Sequence, residues 1–329
     1  MQCVLREASE AQQHAADTLT HAEWGAPELT LEQYLERENE LYATEFADEA
    51  MTAYVLVPKD DPDTLDFLSY VEAFKRPCLY GDARVSGYGI DAVYTPPKHR
   101  KKGYASIMLQ QLVEVFHATS SVVISNLYSD IGASFYAKKG WTPHSATQLV
   151  IPTTFPSAAP TAALTHVDSP AAVAAICDHD VQLMAAQMTS SAVYFVLTPA
   201  VITWFQVRSH YYGRKTAGLS VVPTSLGIVD KTQYMLWTHD FVHRRLVLLR
   251  CHVNQDRFPA FLHAALDEAK KWGLTDGVEL WSPAPWMADV YAPFLETRED
   301  NLPSLMVSHR PAKTNESVVW LANEKYAWV

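Results

Sequence analysis

Hydrophobic and polar positions in the first 150 residues fall into two alternating periods. Short runs rich in β-branched and aromatic residues at Cys3–Arg6, Met51–Val57, Phe67–Phe74 and Gly87–Tyr94 predict strands. Between them lie helical patterns. Ser9 caps a helix carrying Ala11, Ala15, Ala16 and Leu19, which Trp24-Gly25-Ala26-Pro27 stops. Thr30 opens a second, with Gln33 at the capping-box position and Leu31, Tyr34, Leu35 and Leu41 on its apolar face. Asp60–Asp63 reads as a turn, and Pro96-Pro97 ends the strand before it. From Gly103, Met108, Leu109, Leu112, Val113 and Phe116 recur at helical spacing. Ser120–Asn126 predicts another strand, and Asp130–Trp141 a further helix. The order is strand, helix pair, three strands, helix, strand, helix, an α+β layer on a mixed sheet.

Residues 151–170 are rich in Pro, Ala, Thr and Ser and predict a linker between a first domain at 1–150 and a second at 171–329. The second opens with a helix near Ala171–Met188, followed by an apolar stretch at Val193–Phe205. Gln233–Thr238 and Arg245–Val253 pattern as an antiparallel pair, Phe258–Trp272 as an amphipathic helix ended by Gly273, and Gly277–Trp281 and Ser317–Leu321 as strands. The aromatic end, with Trp320, Tyr326 and Trp328, is expected to pack in a core or dock on the first domain.

Charge narrows the function classes. The chain of 329 residues carries a net charge of −11. Residues 1–150 hold 21 acids and 12 bases, and residues 151–329 hold 16 and 14. Nucleic acid is therefore an unfavourable partner. Eight acids crowd the stretch from Glu28 to Glu49, either as a solvated helix face or as a field attracting a cationic substrate. No 18-residue apolar run spans a membrane, and the first residues lack the pattern of a secretion signal. Four dispersed Cys suggest reduced thiols and a cytoplasmic protein. Thirteen scattered His without H-E-x-x-H predict no metal site.

Chemistry concentrates where the strand ending at Tyr94 runs through Lys98, Arg100, Lys101, Lys102, Gly103, Tyr104 and Ala105 into a helix. Free amides and the dipole at such a helix start make an anion site suited to a pyrophosphate. Neither the P-loop nor the dinucleotide spacing occurs. A solvated basic loop or a nuclear-localisation tract is the plain alternative. Arg100–Ala105 resembles the acyl-CoA loop [QR]-x-x-G-x-[GA] of the GNAT acetyltransferase superfamily. Downstream, Tyr136 stands four residues before Gly140-Trp141, as in that superfamily. The whole chain further resembles fungal lysine N6-acetyltransferases. The likeness is carried by Trp24, Leu31–Leu35, Glu38, Glu72–Pro77, Tyr88–Ala105 and Glu324–Trp328.

The resemblance implies a GNAT fold, a mixed central sheet flanked by helices, and the strand, strand, helix, strand order of the second α+β domain hints at a degenerate GNAT-like half without an acyl-CoA loop. The resemblance also implies acetyl-CoA as co-substrate and a primary amine, foremost the side-chain amine of free L-lysine, as acceptor. Backbone groups of Ala92, Val93 and Tyr94 would orient the thioester, residues 100–105 would hold the pyrophosphate, and Asn126 on the next strand would join the cofactor site. Tyr136 would protonate the departing thiolate. Lys101-Lys102 departs from the usual Arg-Gly and stiffens the loop. Glu72 and Asp91 are the candidate bases. Alternation places Glu72 with Leu68, Tyr70 and Phe74, where burial would raise its pKa, although a solvated edge position is equally open. Asp91 shares a face with Gly87 and Gly89, which leave room for a ligand or mark a bulge. A peptide or other cationic amine acceptor, or a non-catalytic acyl-CoA-binding module, remains open at this point.

Overall fold

The computed structural model describes residues 2–157, 164–309 and 318–329. Strand β1 (Cys3–Glu7) leads into helices α1 (Glu10–Trp24), α2 (Leu31–Tyr42) and α3 (Glu45–Ala50). Ser9 and Thr30 each close a full capping box, with Gln12 and Gln33 returning the bond, so both helices start where the sequence places them. Strands β2 (Met51–Pro58), β3 (Ser69–Tyr80) and β4 (Ala83–Tyr94) follow, then α4 (Tyr104–Thr119), β5 (Val122–Ser129), the short α5 (Ala133–Ala137), β6 (Thr142–Pro143) and β7 (Thr147–Ile151).

The later part of the chain forms β8 (Thr165–Val167), α6 (Pro170–Ala185), β9 (Ala192–Phe195) and α7 (Pro199–Lys215). It continues with β10 (Gly227–Asp230), β11 (Gln233–Asp240), β12 (Arg245–His252), α8 (Phe258–Lys271) and β13 (Gly277–Trp281). Helix α9 (Pro285–Val290) and strands β14 (Leu295–Thr297), β15 (Leu302–His309) and β16 (Val319–Trp320) complete it. Of the stretch expected as a linker, Ile151 closes β7 and Thr165–Val167 is β8, while 158–163 lie outside the described residues. Ser317, expected in a strand, also lies outside them.

Two sheets result. The first runs β1-β2-β3-β4-β5-β15-β6, with β9 pairing the far end of β3 and β16 pairing β9. The second runs β14-β7-β13-β12-β11-β10-β8. Strands therefore cross between the halves. β15 pairs antiparallel along all of β5, from Leu302↔Ser129 to His309↔Val122. In return β7 pairs with β13, from Val278↔Ile151 to Trp281↔Gln148. β3 and β4 extend beyond the predicted strands into a long hairpin turning at Gly81-Asp82, because Cys78–Tyr80 pair with residues 193–195 of the later half.

Packing follows the same interleaving. Met108, Leu109, Leu112 and Phe116 of α4 bury against the first sheet with Val71, Ile90, Val123 and Trp141. A second core joins Phe46, Phe74 and Cys78 to Trp204 and Phe205 of α7 and to Tyr326 near the chain end. Helix α7 packs on α2 and α3. The acidic run of α2 is partly consumed there, with Glu36 pairing Lys215 and Glu40 pairing Arg214.

The chain end is strapped across both sheets. Arg76 donates to the carbonyls of Ala327 (2.9 Å) and Tyr326 (3.0 Å). Asn126 donates to the same Ala327 carbonyl at 2.8 Å. On the other side Glu324 accepts the backbone N–H of Cys251 at 2.7 Å and pairs with buried Arg250, which also holds buried Asp180 at 2.8 Å. Breaking a buried, hydrogen-bonded pair strands a charge without solvent. Glu324→Ala is therefore expected to lower unfolding stability by about 3 kcal/mol or more, read from the shift in urea midpoint.

Candidate active site

Strand β4 contains the feature that opens the site. Tyr70 pairs with Tyr94 and Glu72 with Asp91, so β4 carries one more residue than β3 across this step. The bulge lies at Ala92, a non-glycine residue at φ +50°. β4 runs parallel to β5 only from Gly87↔Ile124 to Ile90↔Leu127. Past Ile90 the strands part, leaving Asp91, Ala92, Val93 and Tyr94 without β5 as a partner. The room expected beside Gly87 and Gly89 is filled. A Cβ on Gly87 would meet Cys78 Sγ at 2.4 Å, and one on Gly89 would meet Val329 Cγ2 at 2.7 Å.

A cavity of about 960 Å³ opens at this gap. It brings together Glu72, Asp91, Ala92, Val93, Tyr94, Arg100, Lys101, Gly103, Tyr104, Ala105 and Tyr136 from the sequence-predicted set. Two residues of that set lie elsewhere. Lys102 is exposed outside the lining, and Asn126 is fully buried, its amide N–H donating to the Ala327 carbonyl. Asn126 sits at a fully buried strand position next to the chain end.

At one end of the cavity α4 begins at Gly103, φ +83°, with no side chain capping its first amides. Those amides and the dipole favour an anion. Arg100 is directed away from them, donating to the Thr95 carbonyl at 3.0 Å and to Glu23 at 2.6 Å. Tyr136 presents its phenol to the cavity, and burial, then Asp130 and Asp91, push its pKa up, so it stays protonated at neutral pH.

At the other end carboxyls crowd a poorly solvated wall. Glu72 is buried, not at a solvated edge, and accepts from Tyr70 at 2.7 Å. The Tyr42 hydroxyl lies 2.9 Å from Asp17 and 3.0 Å from the same Glu72 oxygen. One hydroxyl proton cannot serve two carboxylates, so one of the two acids carries a proton. The electrostatics agree. Burial, then Asp91 and Glu38, push Glu72 well above the carboxylate range. Burial and Glu38 push Asp17 up to about 7. Asp91 rises only to about 6, lifted by burial while the Ala92 N–H and Arg208 hold it down.

Several lining residues were not among the candidate site residues: Asp17, Tyr34, Arg37, Glu38, Tyr42, Arg208 and Trp328. A faint signal existed. On α2, Tyr34, Arg37, Glu38 and Tyr42 recur at three- and four-residue spacing beside Leu41, placing polar groups on a core-facing stripe. Of the acidic run Glu28–Glu49, Glu38 lines the cavity, paired with buried Arg37.

Comparison with known proteins settles the family. The model of the LYC1 GNAT-like C-terminal domain matches residues 149–329, more than half of the chain, and the acetyltransferase (GNAT) domain matches residues 33–144. The chain belongs to the GNAT acetyltransferase family. It has two GNAT-type domains. A lysine acetyltransferase of Yarrowia lipolytica is 29% identical over 148 residues, covering 38% of this chain and 36% of that protein's length. A GCN5-related N-acetyltransferase of Kribbella flavida shares the fold at TM-score 0.60 and 13% identity, over 94% of this chain and 71% of that one. Eis1 from Mycobacterium abscessus matches at TM-score 0.54 and 16% identity, over 93% and 73%. A tandem GNAT protein from the clavulanic acid biosynthesis pathway matches at TM-score 0.52 and 10% identity, over 95% and 100%.

The second GNAT-type domain keeps the parallel pair β12–β13 but not the ligand gap. Pairing ends at Leu248↔Leu280, and beyond it the Cys251 N–H is taken by Glu324. Its helix α8 starts at Arg257, which is ion-paired to Asp230, with no glycine loop ahead of it. Among the described residues no group of three or more His, Cys, Asp or Glu could hold a metal, and no helix is long and apolar enough to cross a membrane.

The raised carboxyl pKa values carry a sign for stability. An unfolded Asp17 releases its proton near 3.8, whereas the folded one holds it to about 7. Between those values the native state binds more protons, so stability falls as pH rises. Wild-type protein is expected to lose stability from pH 5 to 8 and Asp17→Asn to show a flatter slope, measured by urea unfolding at each pH.

Proposed function

We propose that the protein transfers the acetyl group of acetyl-CoA to a primary amine, the side-chain amine of free L-lysine, by direct attack on the thioester. One observation carries the reading. A single cavity joins the uncapped start of α4, the open edge of β4, the Tyr136 phenol and a set of protonation-poised carboxyls. The lysine acetyltransferase from Yarrowia lipolytica supports the choice of acceptor.

The residues fit the co-substrate. The amides at Gly103, Tyr104 and Ala105 would hold the pyrophosphate, and the unpaired backbone at Ala92–Tyr94 would align the acyl arm. The thioester supplies an activated carbonyl. A strand amide past the bulge would hold its oxygen as charge develops there.

Lysine's amine must lose a proton before it attacks, since its pKa is about 10.4 in water. Asp91, with a pKa near 6, is ionised at neutral pH and is the base best suited to accept that proton. Glu72 is the weaker candidate as an initial acceptor, because burial keeps its proton on. Its neutral form spares the wall a second negative charge. Tyr136, kept protonated, would then donate to the leaving thiolate.

The test is free-thiol release from acetyl-CoA with L-lysine, a panel of other amines, and lysine-containing peptides. Turnover on free lysine is expected. Acetyl-CoA binding without turnover on any amine would replace the enzyme with a binding module. Tyr136→Phe is expected to lower kcat by about 10²-fold while leaving the acetyl-CoA dissociation constant unaltered. In wild type kcat/KM should rise with pH through about 6, as Asp91 ionises, and Asp91→Asn should lose that limb. Retention of the limb in Asp91→Asn would remove it as the base.

A further inference from the structure

Arg208 stands apart among the guanidinium groups of the cavity. It comes from α7, in the later half of the chain, and reaches the wall formed where α7 packs on α2 and α3. The other guanidinium of that wall, Arg37, is buried and committed to Glu38 and to the Tyr212 hydroxyl. Arg100, nearer the start of α4, is committed to Glu23. Arg208 forms no ion pair among the described residues. Its guanidinium lies 5.3 Å from the Trp328 ring and 5.4 Å from the Tyr212 ring. Two aromatic faces thus hold a charged fork half-buried on the cavity wall, with its hydrogen-bonding edge left without an acid.

The neighbourhood of that fork makes the gap informative. The wall around it carries Asp17, Glu38, Glu72 and Asp91, and Arg208 acts on Asp91 through space, yet among the described residues no acid lies in ion-pair contact with it. A cationic acceptor alone would leave a guanidinium here as repulsion. An acceptor that brings its own carboxylate turns it into a bidentate contact of the kind planar guanidinium favours.

We infer that Arg208 binds the α-carboxylate of the acceptor, so that the site selects a free amino acid over a peptide or a simple diamine. This rests on the amine-acetyltransferase reading of the cavity. It assigns the second GNAT-type domain a direct part in substrate choice: α7 supplies the carboxylate anchor, and the first domain supplies the amine chemistry. In a peptide the α-carboxylate is consumed in an amide, and Arg208 would then be left desolvated and unpaired.

The test compares substrates that differ only in that group. L-Lysine is set against L-lysinamide and cadaverine, and L-ornithine against putrescine, for wild type, Arg208→Gln and Arg208→Lys. Wild type is expected to favour the carboxylate-bearing member of each pair by about 10- to 100-fold in kcat/KM, the range of a charge-assisted bond. In Arg208→Gln the KM for lysine should rise and the preference should collapse to within about threefold, with Arg208→Lys between the two. The ratio, not the absolute rate, is the readout, so a general loss of activity does not imitate the result. Equal loss on both members of each pair, with the preference intact, overturns the role of Arg208. A wild type that turns over diamines as well as amino acids overturns it too, while leaving the acetyltransferase reading standing. Calorimetric titration of the CoA-saturated protein with L-lysine and L-lysinamide reads the same preference without turnover. Absence of a difference there overturns the inference even if no amine is acetylated.

Discussion

The exchange of strands between the two sheets is the constraint from which the rest follows. A strand edge in a sheet presents rows of unpaired N–H and C=O groups that must be satisfied. The free edge of β5 is filled by β15, which arrives from residues 302–309. The edge of β13 is filled by β7, from residues 147–151. Neither half can therefore complete its own sheet. With β5 held on its far side by β15, its other side is free to part from β4 past Ile90, and that parting makes the cavity. The same exchange brings α7 and the chain end alongside the first sheet, supplying Trp204, Arg208 and Trp328 as walls.

Within the cavity, proton economy is the controlling physics. Asp17, Glu72 and Asp91 crowd a region with little water, and full ionisation of all three would cost more than the surroundings return. The hydroxyl of Tyr42 reaches two of them with one proton to give. The three acids consequently separate in acidity. Asp91, aided by the Ala92 N–H and by Arg208, stays the most acidic, and Glu72, buried between two tyrosines, the least. One strained backbone position, Ala92, both offsets the register and donates the bond that sets this order.

The two GNAT-type domains have diverged in what fills the gap between their parallel strands. In the first it is open. In the second Glu324 binds the Cys251 N–H, and Arg250 and Asp180 lock that carboxylate in place. The strap continues into Tyr326 and Ala327, whose carbonyls rest on Arg76 of the first sheet. Stability of the second domain and the shape of the first domain's cavity are joined through these few residues.

Much of this was legible from local pattern. Capping residues Ser9 and Thr30, the period of α4, the glycine at its start and the Tyr136–Gly140 spacing depend only on neighbours along the chain, so sequence alone placed them. The extensions of β3 and β4 were not legible, because Cys78, Leu79 and Tyr80 gain their partners from residues 193–195, far along the chain. β15, whose partner lies more than 170 residues away, left no signal in its own stretch. The bulge sits on an alanine, which carries no sign of positive φ, and the bond from Asn126 to the Ala327 carbonyl joins residues far apart in the chain. The sequence by itself determined the family, the helices and the residue types able to bind a pyrophosphate and move a proton. Only the tertiary structure decided which acids flank one hydroxyl and that Arg208 stands among them with no ion pair among the described residues, because those facts depend on distances across strands and helices far apart in the chain.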